Sequence, residues 1–100
     1  KYWGCQTFYN NESEEGKLLA KSIQENVESV VKRGNKRTAL KIDGIKIVDK
    51  TTIPVVIVEC GFISNVEELN LLQTETYQLK LVEGICNGVE EFYQFNHENA

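Results

Sequence analysis

Glu59 closes an almost unbroken apolar run, residues 55–58, and is followed at once by Cys60, Gly61 and a polar turn. A short run rich in β-branched residues reads as a strand buried on both faces. A carboxylate at the end of such a strand costs several kcal/mol unless it is paired, metal-bound or open to a cleft. In open α/β sheets the carboxyl ends of strands are where ligands bind. Glu59 is therefore the candidate for acid–base chemistry, against the plainer reading of a carboxylate capping a neighbouring helix. Cys60 invites a nucleophile reading, but no histidine falls in a placed element near it. The only histidine, His97, lies in the polar tail and reads as a surface residue. Gln6, Arg37 and Asn65 are weaker candidates for substrate contact. Gln6 reads equally as an edge-strand polar residue, Lys36 and Arg37 as a solvated connector, and Asn65 as a helix N-cap. Tyr2 and Trp3 could stack on sugar rings.

The elements that must position these residues follow from periodicity and punctuation. Residues 4–9 (GCQTFY) suit a strand. Residues 10–13 turn into a helix, with Ser13 as N-cap and Glu14 and Glu15 in its first turn. Leu19, Ile23, Val27 and Val30 then recur at helical spacing. Lys32 and Arg33 complement the negative helix end, and Gly34 falls where a C′ glycine belongs. Residues 35–40 read as a basic connector, Asp43-Gly44 as a turn and residues 45–48 as a short strand. Thr51-Thr52-Ile53-Pro54 leads into the central strand, Pro54 being tolerated at a first strand position. Asn65 opens a capping-box pattern with Glu68, and Leu69, Leu71 and Leu72 make a short helix ending near Gln73. Thr74 caps a longer helix with the stripe Tyr77, Leu81, Ile85, Val89 and Phe92. Gly84 and Gly88 beside that stripe suggest a close approach to the sheet. The tail from residue 94 reads as fraying.

The order strand–helix–strand–strand–helix–helix predicts an α/β fold, a mixed sheet with helices packed on both faces, with about three strands and three helices. One hundred residues make one domain or part of one. Eleven basic residues are scattered among fifteen acidic ones for a net charge of −4, a field that attracts neither nucleic acid nor an anionic membrane. No apolar run approaches a bilayer-spanning length, and no signal-peptide pattern is read within residues 1–100. Cys5, Cys60 and Cys86 are too few for a disulfide framework and form no C-x-x-C pair, so buried free thiols are expected.

Several separated motifs agree in order and spacing with one family. Gln6-Thr7-Phe8-Tyr9 precedes an acidic turn and then Lys17-Leu-Leu-Ala-Lys-Ser-Ile-Gln24. Ile53-Pro54, Val58-Glu59-Cys60-Gly61-Phe62-Ile63-Ser64-Asn65 and Glu67-Glu68 follow. Over residues 4–92 the chain resembles the C-terminal part of a zinc-dependent N-acetylmuramoyl-L-alanine amidase catalytic domain. The GCQTFYN opening and Asn35-Lys36-Arg37 are similar to the spore-cortex, germination-specific type. The resemblance implies hydrolysis of the amide between N-acetylmuramic acid and L-alanine in peptidoglycan, outside the cytoplasm at the cell envelope or forespore. It implies zinc held by two histidines and a glutamate, and a further, catalytic glutamate that matches Glu59. Zinc lowers the pKa of its bound water to about 7, and a nearby carboxylate shuttles the proton, a role contributing about 10²–10⁴-fold. The family's ligands lie in a Gly-His-Gly segment, on an early helix and in a Ser-Ile-His-like strand, none of which occurs here. Residues 1–100 are thus expected to form the C-terminal portion of one catalytic domain, without a metal site of its own and inactive in isolation. An activating protein partner is left open. The competing expectation is a non-catalytic relic or cell-wall or partner-binding module. The same reasoning expects an unpaired apolar sheet edge beyond the first strand.

Overall fold

The computed structural model describes residues 3–10, 13–34 and 36–98, and Tyr2 lies outside them. The order is β1 (Gln6–Asn10), α1 (Glu14–Val31), β2 (Leu40–Ile42), α2 (Lys46–Asp49), β3 (Val56–Glu59), α3 (Val66–Leu72) and α4 (Glu75–Glu98). The sheet is mixed, as expected, in the order β2-β1-β3. β1 pairs parallel to β2, with Phe8 opposite Leu40, and antiparallel to β3, with Gln6 opposite Glu59 and Tyr9 opposite Val56.

Two expectations about the sheet fail. β1, not β3, is the central strand, so the apolar run ending at Glu59 lies on an edge and its residues are half-buried. The unpaired edge accordingly falls on β3 and β2 rather than on the first strand. The third strand is also misplaced. Residues 45–48 are not a strand: Ile45 and Val48 are three apart, one helical turn, and α2 buries Val48. The Asp49 carboxylate accepts from the Gly44 N–H at 2.9 Å and closes the preceding turn. The strand comes instead from the end of the basic connector, where Leu40-Lys41-Ile42 is too short to announce itself by alternation.

α1 begins as its sequence dictates, the Ser13 hydroxyl accepting from the Gly16 N–H at 2.8 Å. It ends earlier than Gly34 suggested. Lys32 itself adopts the left-handed conformation, φ 52°, and its N–H returns to the Glu28 carbonyl. That frees Arg33 to leave the helix end and serve the site described below.

α1 lies against β1 and β3, and α4 lies along α1. Cys5, Ile23, Val27, Tyr77 and Leu81 form the buried core, with Val56, Val58 and Cys60 packed against it. Gly84 and Gly88 do permit a close approach, but to α1 rather than to the sheet. A Cβ on Gly84 would stand 2.6 Å from Val27 Cα, and one on Gly88 2.5 Å from Ile23 Cα. The Ser22 hydroxyl donates across the same seam to the Gly88 carbonyl at 2.8 Å. Gly88→Ala is therefore expected to destabilise the chain by about 1–3 kcal/mol, overpacking outweighing the roughly 1 kcal/mol gain in helix propensity. Urea unfolding checks it, with Asn87→Ala on the exposed side as control. Far from fraying at residue 94, α4 continues to Glu98: no Gly or Pro follows Gly88 within it, and Asn96 reaches back to the Glu15 carboxylate at 3.2 Å. No described helix is long and apolar enough to cross a membrane.

Candidate active site

The register of β1 and β3 sets Gln6 and Glu59 side by side on one face of the sheet, because directly opposed residues in an antiparallel pair share a face. Arg37 joins them. It is half-buried rather than part of a solvated connector: its guanidinium donates to the Trp3 carbonyl at 2.9 and 3.2 Å and reaches Gln6 Oε1 at 3.4 Å. It also lies 5.3 Å from the Phe62 ring centroid, within cation–π range. Gln6 is not an edge residue. It is 4% exposed on the central strand, its Nε2 donating to the Thr38 carbonyl at 2.8 Å and to that of Thr7 at 2.9 Å. With both ends of its amide engaged, Gln6 braces the neighbouring strand end and connector. It does not offer a free hydrogen-bonding group.

Glu59 is in the opposite condition. It is exposed, and among the described residues no hydrogen bond or ion pair holds its carboxylate. Asn65 stands apart as the N-cap of α3, its side chain accepting from the Glu68 N–H at 3.1 Å. With Trp3, Arg33 and Glu67 it lines a shallow polar depression.

The carboxylate that organises this region is Glu68, which sequence reading treated only as half of a capping box. Its side chain does not return to the Asn65 N–H. It is fully buried and accepts from the Gly4 N–H through both oxygens, at 2.9 and 2.7 Å, and from the Phe62 N–H at 2.7 Å. Arg33 closes on it as a buried ion pair. Arg33 in turn reaches Glu67 at 3.4 Å and lies 5.0 Å from the Trp3 ring centroid. Gly4 adopts φ 93°, a conformation that favours glycine and aims its N–H at the carboxylate. Glu68 thus pins the start of β1 to the loop leaving β3. The only signal available beforehand was its capping-box spacing from Asn65, which says nothing of an inward turn.

The cysteines divide by position. Cys5 is buried, Cys60 half-buried and Cys86 exposed, so only the first fits the expected buried thiol fully. Burial, with the neighbouring Cys60, pushes the Cys5 thiol up to about 12, and burial also raises Cys60. Thiolates being the nucleophilic form, neither is poised to attack at neutral pH. His97 is exposed at the end of α4, stacked on Tyr93 at 5.4 Å. Among the described residues no three His, Cys, Asp or Glu side chains gather into a group that could hold a metal ion. The described residues do not fit a zinc site.

The same fold recurs in solved structures. The CwlD amidase from Clostridioides difficile, in complex with the GerS lipoprotein, superposes with a TM-score of 0.91 at 40% identity, over 95% of this chain and 48% of that one. An N-acetylmuramoyl-L-alanine amidase from Clostridium difficile 630 superposes with a TM-score of 0.83 at 28% identity, over 94% of this chain and 50% of that one. The sequence pattern of the N-acetylmuramoyl-L-alanine amidase family matches residues 1–91, and the chain belongs to that family. A germination-specific N-acetylmuramoyl-L-alanine amidase of Bacillus subtilis (strain 168) is 32% identical over 93 residues, 93% of this chain and 39% of that protein. The chain spans about half the length of these relatives or less.

Proposed function

We propose that this chain is the C-terminal portion of a peptidoglycan amidase that cleaves the bond between N-acetylmuramic acid and L-alanine, with Glu59 as its general base and acid. The observation that carries the reading is the contrast between two carboxylates nine residues apart in sequence: Glu68 is fully engaged, while Glu59 is exposed and uncommitted at a strand end. Glu59 takes a proton from the attacking water as its oxygen bonds to the amide carbon. It returns that proton to the alanine nitrogen as the C–N bond breaks, leaving a lactyl carboxylate and a free amine. Gln6 and Arg37 hold the adjoining backbone in place, and Trp3 and Asn65 border the depression that would receive part of the substrate.

Zinc stays an implication of the resemblance, its ligands coming from outside residues 1–100, so the chain alone is expected to be inactive. Family membership and the germination-specific relative support a spore-cortex or cell-wall substrate and a site of action outside the cytoplasm. The lipoprotein held by the C. difficile relative supports a protein partner.

The test is digestion of purified peptidoglycan by the full-length protein. New free amines on L-alanine without new reducing sugar ends are expected. Reducing ends would make it a glycosidase, and binding to the polymer without either product would favour the non-catalytic module.

A further inference from the structure

Two cysteines that the proposed chemistry does not use stand next to the last pair of the β1–β3 ladder, Gln6 with Glu59. The pairing of β1 with β3 runs Gln6 with Glu59, Thr7 with Val58 and Phe8 with Ile57. Continued by one residue, it sets Cys5 opposite Cys60. Both belong to the same packed cluster, on the face that carries Thr7 and Val58. The kind of pair they form can be read from the hydrogen bonds. The Asn10 N–H donates to the Val55 carbonyl at 3.3 Å, so Asn10 and Val55 are a hydrogen-bonded pair. Pair types alternate along an antiparallel ladder, which makes Phe8 with Ile57 and Gln6 with Glu59 hydrogen-bonded, and Thr7 with Val58 and Cys5 with Cys60 not.

A second observation agrees. The Thr7 N–H and Cys5 carbonyl both turn away from β3, to the Gln24 carboxamide, at 2.8 and 2.9 Å. In a non-hydrogen-bonded pair the Cα atoms approach to about 4.5 Å with side chains close together. That lies inside the span of about 4.4–6.8 Å that a disulfide bridges without moving the backbone.

We propose that Cys5 and Cys60 form a reversible dithiol–disulfide site, oxidised by a peroxide-class oxidant, that ties β1 to β3 one residue from Glu59. The inference stands on strand register alone and is independent of the amidase reading. Cys60, half-buried, is the thiol an oxidant reaches first. Its sulfur attacks the peroxide O–O bond, giving a sulfenic acid and one water after proton transfer. The Cys5 sulfur then displaces hydroxide from the Cys60 sulfur, which leaves as a second water with the Cys5 proton. Two thiols lose two electrons and two protons, and one peroxide becomes two waters. The raised Cys5 thiol makes the reaction slow at neutral pH and faster as pH rises.

The experiment treats the full-length protein carrying Cys86→Ser with hydrogen peroxide at mildly alkaline pH, then maps peptides without reduction. A Cys5–Cys60 linked peptide that thiol reductant dissolves is expected. Oxidation should also raise Tm by several degrees, because cross-linking a loop of about 55 residues narrows the unfolded ensemble. Cys60→Ser should abolish both the linked peptide and the shift. Recovery of Cys5 and Cys60 separately, as thiols or as higher oxides of Cys60, would overturn the proposal. So would a fall in Tm with the cross-link present, or an oxidation-dependent shift that survives Cys60→Ser.

Discussion

Glu59→Gln in the full-length protein is expected to lower turnover by about 10²–10⁴-fold, the usual contribution of a positioned proton-transfer group. The substitution keeps the side chain's size and removes its ability to take a proton. Because the Glu59 carboxylate is exposed and makes no hydrogen bond or ion pair among the described residues, folding should be almost untouched. The effect should therefore fall on the rate while stability and bound metal stay as they were. Initial rates of L-alanine amine release, urea unfolding and elemental analysis of the same preparation check all three. Loss of metal together with activity would instead make Glu59 a ligand.

Glu68→Ala should give the inverse pattern, a loss of about 3–5 kcal/mol of stability from removing one member of a buried ion pair. Arg33 keeps only 13% of its side chain exposed and Glu68 none, so water cannot replace what is lost. The Gly4 and Phe62 N–H groups lose their acceptor in the same step. At about 4–8 °C per kcal/mol for a domain of this size, the drop in Tm should be unmistakable. Glu68→Gln separates charge from shape: it fills the same space but turns an amide donor toward groups that are all donors. A loss comparable to that of the alanine variant is expected. A stability change under 1 kcal/mol in either variant would show that the network contributes little. Gly61 reports on the same packing, since a Cβ there would stand 2.7 Å from Glu68 Cγ.

These two glutamates show where sequence reading succeeds and where it stops. Glu59 was legible because a strand signal, a charge and a glycine stand in immediate succession. Glu68 was not, because its partners Gly4 and Arg33 are 64 and 35 residues away and nothing local distinguishes a side chain that turns inward. The long amphipathic helices were legible for the same reason as Glu59: caps and periodicity are local, and Ser13 and Asn65 both cap as read. Strand order is a property of pairing between distant segments, so the centre and edge of the sheet were exchanged. β3 looked central because a continuous apolar run is the mark of burial on both faces, yet its residues are only half-buried here. Residues 40–49 failed at a smaller scale, a three-residue strand and a single helical turn being shorter than the windows in which periodicity can be counted. The role given to Gly84 and Gly88 was correct in kind and wrong in partner, since a glycine pair announces close approach without saying to what.

The seam between α1 and α4 also sets the order in which this segment can fold as it is made. α1 emerges early in the segment, but the surface that receives its Ile23 and Val27 belongs to the last helix. Until Gly84 and Gly88 have left the ribosome, that side of α1 has no mate and the local β1–α1 unit stays open. Contacts of such long sequence separation are slow to close and leave apolar surface bare in the interval. Nascent chains halted before residue 84 should accordingly remain protease-sensitive throughout, and chains released past residue 88 should acquire resistance in one step.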